Sequence, residues 1–381
     1  MKIVIAIDSF KGCLSSMETN EAAAEGVKDV CKEADIKQVA VSDGGEGFLS
    51  AYHAALGGKF VELTVMNPLM RPVRARYLLK NRLAVIEMAE ASGLTLIAKE
   101  ERNPILATTY GTGQLIADAV KKGVERIIVG LGGSATCDAG RGMLQALIDN
   151  FSKNGKWEEM DELKQIHFTI ASDVRNPLCG EQGAARVFAP QKGATQEMVE
   201  LLEVRAKHFA EASACRFGFD RSEEAGAGAA GGLGYALMQY LDADCQSGID
   251  LLLEAMDFEK LVCDADCVVT GEGSADRQTL MGKLPMGVLR HSGKAAVCLI
   301  AGQVNDRQEL LQAGFAHVEC VNPPEISLEE AMRPEVAKQN IRRTVCGILR
   351  TNSFPLKKQN LRSRGEEDAQ TCINLLNSST P

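Results

Sequence analysis

Several large functional classes are closed to this chain by what it lacks. Its 381 residues contain no apolar run approaching the roughly 18 that a membrane-spanning helix needs. The start, MKIVIAIDSFKG, passes from one lysine into an alternating apolar run with no leader-like core or cleavage site, so the expected setting is cytoplasmic, with no membrane as partner. Basic residues are the minority: 42 Lys and Arg against 51 Asp and Glu leave a net charge of -9. A surface built chiefly to attract nucleic acid or anionic lipid is excluded by that balance, while a local basic pocket is not. The five histidines form no HxH or HxxxH pair, and the closest of the twelve cysteines, Cys263 and Cys267, have no second soft pair nearby. Four such ligands are normally needed for structural zinc, so the cysteines are expected as small buried hydrophobes of a reducing compartment. No G-x-x-x-x-G-K-[ST] occurs, so an ATP site here is not of the Walker type, and there are no tandem repeats.

What the chain does have is alternation. Its length exceeds the roughly 250–300 residues at which single cores stop growing, so two domains are expected. Strand-like runs at 3–7, 38–41, 61–65, 84–88, 127–129, 168–171, 267–269, 296–300 and 316–321 are separated by helical patterns at 21–30, 112–122, 142–149, 197–211, 234–242 and 306–313. That order predicts an α/β fold with mainly parallel sheets, whose ligands gather at the carboxyl ends of the strands. Thr112 is expected to cap its helix, with Gly123 available to end it. Residues 60–88 read differently, as short alternating segments around a turn at 66–70, which predicts antiparallel pairing at the start of a second domain. Residues 351–381 predict a loosely packed tail with one short helix at 369–376.

The chemistry is concentrated in loops that follow strands. GLGGSATCDAGRGM at 130–143 meets the G-x-G-x-x-A form of a dinucleotide fingerprint, but no acidic residue closes a second strand about 20 residues later. GAGAAG at 226–231 meets a similar pattern with no strand before it. A phosphate loop asks less: Gly132 and Gly133 let backbone N–H groups approach an anion, Ser134 and Thr136 add hydroxyl donors, and Asp138 repels phosphate unless a divalent cation intervenes. A glycine-rich turn serving only helix–strand packing is the competing explanation. The other strand-end loops carry Asp8 and Lys11, Asp43 and Glu46, Asp173 and Arg175, and Glu272, Asp276 and Lys283, the carboxylates and cations that phosphoryl transfer uses. Each alone is more often a cap or a surface charge; together they predict one cleft. Lys192 in PQKGA is either an anion ligand or an exposed turn lysine.

These segments, DSFKG, SDGGEG, IEMAEASGL, TTYGTGQLI, the glycine loop, SDVRNPLCG, FAPQKGA, GAGAAGGLG and TGEG followed by D and QTLMGK, run collinearly through about residues 1–350 and resemble the bacterial glycerate kinase family. The resemblance implies two α/β domains around an active-site cleft, a Rossmann-like one from 1–66 and 262–350 and a flavodoxin-like one inserted at 67–261. It also implies magnesium and ATP, D-glycerate as acceptor, and 2-phosphoglycerate rather than 3-phosphoglycerate as product, in organic-acid catabolism. On that basis Gly132, Gly133, Ser134, Thr136, Asp138 and Glu272 are expected at the nucleotide, Asp138 and Asp276 at the metal, and Lys11 and Lys283 at transferred phosphate or the glycerate carboxylate. Asp173 or Asp43 is expected as the base. A monomer and a homodimer both stay open. The chain departs from the family at Cys137, where asparagine is common, at Ser274-Ala275, where R-I is usual, and in an abbreviated stretch at 150–168. These departures keep a related or weakened hydroxy-acid kinase, or a non-catalytic binding descendant, as alternatives.

Overall fold

The computed structural model describes residues 1–42, 44–45 and 47–351. Asp43, Glu46 and the expected tail with its helix lie outside the described residues. Apolar alternation in the first strand already dictates what surrounds it: Ile3, Ile5 and Ile7 join one core cluster while Val4 and Ala6 join another. A strand buried on both faces needs a parallel sheet covered by helices on each side. That sheet contains β1 (Lys2–Ile7), β2 (Asp35–Gln38), β9 (Cys267–Ala275), β10 (Ala296–Val304) and β11 (His317–Cys320), in the order β11-β10-β9-β1-β2. All its pairings are parallel. The chain leaves β1 toward β2 on one side, whereas β9 to β11 build outward on the other. Loops leaving β1 and β9 therefore diverge and open a crevice at their carboxyl ends.

The second sheet runs β3-β4-β5-β6-β7-β8, from Lys59–Met66, Pro72–Lys80, Leu83–Glu87, Arg126–Gly130, His167–Ala171 and Asp244–Gln246. The first three strands pair antiparallel, as the texture of 60–88 predicts, and β5 to β8 are parallel. The segment that the sequence groups with the first domain up to residue 66 ends in β3, which is hydrogen-bonded to β4 of the second sheet from Lys59↔Leu79 to Met66↔Pro72.

The longer helices, α1 (Ser16–Lys28), α2 (Phe48–Leu56), α3 (Tyr110–Lys121), α4 (Arg141–Phe151), α5 (Gln196–Phe217), α6 (Ala229–Leu241), α7 (Gly248–Ala255), α8 (Leu284–His291) and α9 (Pro334–Arg350), fill the layers around the sheets. Helices α1 and α9 cover the first sheet through Ala23, Val27, Ile341 and Val345. On the outer face of the second sheet, α3, α4 and α6 pack over Ile86, Ile127, Val129, Phe168 and Ile170. Between the sheets, Phe48 and Tyr52 of α2, Ile249 and Leu252 of α7 and Val288 of α8 belong to one cluster with Val4 and Val268 of the first sheet and Val85 and Ile128 of the second. The result is five layers with a shared middle.

Two local expectations differ. The strand expected at 38–41 ends at Gln38, because Asn20 and Ser16 of α1 take over its pairing: Asn20 Nδ2 donates to the Val39 carbonyl at 2.8 Å, and the Val41 N–H donates to Ser16 Oγ at 3.1 Å. Thr112 is not a cap. Helix α3 starts two residues earlier, and Thr112, fully buried inside it, shares a 2.8 Å hydrogen bond with Ser92.

Candidate active site

At the crevice between β1 and β9 lies a cavity of about 750 Å³. The register places Ile7 opposite Gly271, and the Asp8 N–H donates to the Gly271 carbonyl at 2.9 Å. Asp8 and Glu272 therefore leave adjacent strands side by side, and both line the cavity with Lys11 and Lys283. Glu272 accepts from the buried Thr279 hydroxyl at 2.6 Å, and Lys283 Nζ stands 3.9 Å from its Oε2. Asp8 Oδ1 accepts from the Ser9 N–H at 2.8 Å. Two carboxylates at neighbouring strand ends, with two lysines beside them, form a charged floor suited to a polyanion and its cation.

Asp173 faces a second cavity, of about 420 Å³, with Arg175, Gln246 and Ser247 from the second sheet and Leu280, Met281, Gly282 and Arg290 from the first. Arg290 is held there by both oxygens of Asp250, at 2.9 and 3.0 Å. The segment from Leu280 to Lys283 lines both cavities, Lys283 the larger and Leu280, Met281 and Gly282 the smaller, so the two adjoin there.

The glycine loop is built differently from the sequence expectation. Gly132 and Gly133 reach the surface, whereas Ser134 and Thr136 are buried and bonded to each other, with the Thr136 N–H donating to Ser134 Oγ at 3.1 Å. Beneath them Lys192, expected as an anion ligand or an exposed lysine, is buried. Its ammonium donates to the Thr136 carbonyl at 2.7 Å and to Ser134 Oγ at 3.3 Å, and burial pushes its pKa down. Asp138 Oδ2 accepts from the Thr109 N–H at 2.8 Å, the Thr109 hydroxyl at 2.9 Å, the Gly142 N–H at 3.1 Å and the Thr108 hydroxyl at 3.3 Å, while Oδ1 accepts from the Gly140 N–H at 3.1 Å. Its carboxylate thus ties the start of α4 to the start of α3. Asp276 caps its own turn, accepting from the Gln278 N–H at 2.8 Å, and does not line the β1–β9 cavity. Among the described residues no group of three or more His, Cys, Asp or Glu is placed to hold a metal ion.

What the loop does present is its backbone. The Gly132 N–H donates to the Gly44 carbonyl at 3.0 Å, and a Cβ on Gly132 would stand 2.3 Å from Gly45 Cα. Only glycine allows the loop after β2 and the loop after β6 to touch, and the contact draws both strand ends into one cleft. The pattern GAGAAG has a packing explanation: Ala230 and Gly231 have φ of 52° and 68°, and a Cβ on Gly231 would meet the Thr136 carbonyl oxygen at 2.0 Å. It is a tight turn beneath the glycine loop. Cys137 packs with Ala185, Ala189, Val199 and Leu202, and burial pushes its thiol up to about 11.

Sequence reasoning brings Lys11, Glu272 and Lys283 to one cavity and Asp173 to its neighbour. It passes over the ends of β10 and β11, where Gln303, Asn322, Pro323 and Pro324 complete the larger cavity. A strand running into NPP was the available signal, since a proline pair stops a ladder at a fixed point.

The family model for the glycerate kinase family matches residues 3–158 and 152–353. A glycerate kinase of Bacillus subtilis is 43% identical over 91% of this chain and 97% of its own, and the glycerate 2-kinase of Escherichia coli is 39% identical over 87% and 93%. The crystal structure of a candidate glycerate kinase 2 from Salmonella typhimurium superposes with a TM-score of 0.76 at 38% identity, covering 92% of this chain and 98% of that one. Two sheets with one cleft, the collinear strand-end loops and these matches have a single explanation: the chain belongs to the glycerate kinase family.

Proposed function

We propose that the protein transfers the γ-phosphoryl group of ATP to a hydroxyl of D-glycerate, in a cleft whose floor is Asp8, Lys11, Glu272 and Lys283. The observation that carries this reading is the meeting of those two carboxylates and two lysines at the carboxyl ends of β1 and β9. Magnesium fits Asp8 and Glu272, because this ion is usually held by one or two carboxylates together with substrate phosphates; bound there, it would supply charge neutralisation on the phosphate oxygens. Lys11 and Lys283 counter the negative charge of the transferred group. The exposed Gly133 backbone is the part of the glycine loop that offers an N–H group to phosphate, with Gly132, Ser134, Thr136 and Asp138 shaping the loop from within. Asp173 is the described candidate for accepting the glycerate hydroxyl proton, and Arg175 beside it suits the glycerate carboxylate. Transfer to the 2-hydroxyl is the favoured outcome, in keeping with the E. coli relative's name.

The test is ADP release with and without D-glycerate at fixed magnesium, with the product assigned by phosphorus NMR as the 2- or 3-phosphate. Glycerate-dependent release yielding 2-phosphoglycerate is expected. Asp173→Asn should lower kcat at least hundredfold, and a near-normal rate would remove Asp173 as the base.

A further inference from the structure

We propose that the two cavities divide the substrates: the larger one, at β1 and β9, receives the purine base and ribose of the phosphoryl donor on an apolar wall, and the smaller one receives the hydroxy acid. This rests on the kinase reading above and adds to it an assignment of where each substrate lies.

The larger cavity is not uniform. Its lining is of two kinds: the charged Lys11, Lys283, Asp8 and Glu272, and the apolar Phe10, Pro323, Pro324, Ile326, Leu328 and Met332. A nucleotide has both characters too, a flat apolar heterocycle and a chain of phosphates. Glycerate carries an oxygen on each of its three carbons and has no apolar face to offer such a wall. Leu328 and Met332 are 76% and 39% exposed, so the wall keeps apolar surface in water that a base would cover. Its rim is polar and fixed: Asn322 Nδ2 donates to the Gly302 carbonyl at 2.8 Å, and its Oδ1 accepts from Asn340 at 3.2 Å. A cavity of about 750 Å³ lies within the range typical of cofactor sites, and the neighbouring one of about 420 Å³ offers Asp173, Arg175, Gln246 and Ser247 to a small polar acid.

The order of parts along the cleft supports the same division. Lys283 belongs to the larger cavity while Leu280, Met281 and Gly282, immediately before it, face the smaller one. A donor lying with its base against Pro323 and its phosphates against Lys283 brings its terminal phosphate to the boundary where the acceptor waits. The reverse arrangement would leave the base among Asp173, Arg175 and Arg290 and the acid against Leu328 and Met332, mismatched at both ends.

Leu328→Glu and Met332→Glu test the assignment, because both side chains are exposed enough for the fold to accept the change. The KM for ATP should rise at least tenfold in each, with the KM for D-glycerate within twofold of wild type and the melting temperature within 2 °C, a window of about 1 kcal/mol or less. Arg175→Ala should do the opposite, raising the KM for glycerate and sparing that for ATP. An unchanged ATP KM in both glutamate variants, or a rise in the glycerate KM instead, overturns the assignment. Should wild type show no turnover, the kinase reading fails separately, and calorimetric titration of wild type and Leu328→Glu with magnesium–ATP still decides. Weaker binding by the variant supports the nucleoside wall, while equal affinity, or no binding by wild type, overturns it.

Discussion

Asp138 shows how a residue that sequence chemistry assigns to a ligand can be held entirely by its own protein. Five donors converge on its carboxylate: the Thr109 N–H and hydroxyl, the Gly142 N–H and the Thr108 hydroxyl on Oδ2, and the Gly140 N–H on Oδ1. A carboxylate so engaged has little left for a metal, and the starts of two helices depend on it. Asp138→Asn replaces one acceptor oxygen with a donor facing other donors. The variant should lose about 2–3 kcal/mol of stability, read from urea denaturation, with the magnesium dependence of whatever activity remains unchanged. Unchanged stability together with a raised magnesium requirement would return Asp138 to the metal. The same reasoning applies to Cys137: it is buried in a cluster with Ala185, Ala189, Val199 and Leu202, so asparagine at that position bears first on packing.

At the scale of elements, alternation and strand-end loops were legible because burial on both faces and the need for polar loop ends are imposed locally. Parallel sheets, the antiparallel excursion over β3 and β4 and the convergence of Lys11, Glu272 and Lys283 all follow from such local patterns. What was not legible came from side chains acting at a distance. The strand expected at 38–41 stops where Asn20, on α1, inserts between β1 and the following segment, accepting from the Ile7 N–H at 3.0 Å and donating to the Val39 carbonyl at 2.8 Å. No period in 38–41 announces a partner 19 residues away. Likewise Thr109 rather than Thr112 meets the helix start, because Asp138, which belongs to another loop, selects it. Asn20→Leu leaves two backbone groups without their buried partner. It should cost about 2–4 kcal/mol and lower activity through displacement of residues 39–42, measurable as a fall in the denaturation midpoint with a rise in both KM values.

For the whole molecule, the middle layer decides how the two sheets behave. Phe48, Tyr52, Ile249 and Leu252 are fully buried in a cluster that includes strand residues from both sheets, so neither sheet has a complete core without the other. Two sheets joined only by a polar cleft would unfold independently, and movement across the cleft would be unopposed. Here the apolar layer fixes the base of the cleft, while the loops at its mouth, including the 280–283 segment, line the two cavities. Leu252→Ala removes side-chain volume from that layer without touching either cavity. The expected loss is about 2–5 kcal/mol. Because the core is shared, the whole transition should move to lower urea as one step, with tryptophan fluorescence from Trp157 of the outer layer and far-ultraviolet circular dichroism shifting together. If the two probes separate, each sheet has its own core and the middle layer is only a contact surface.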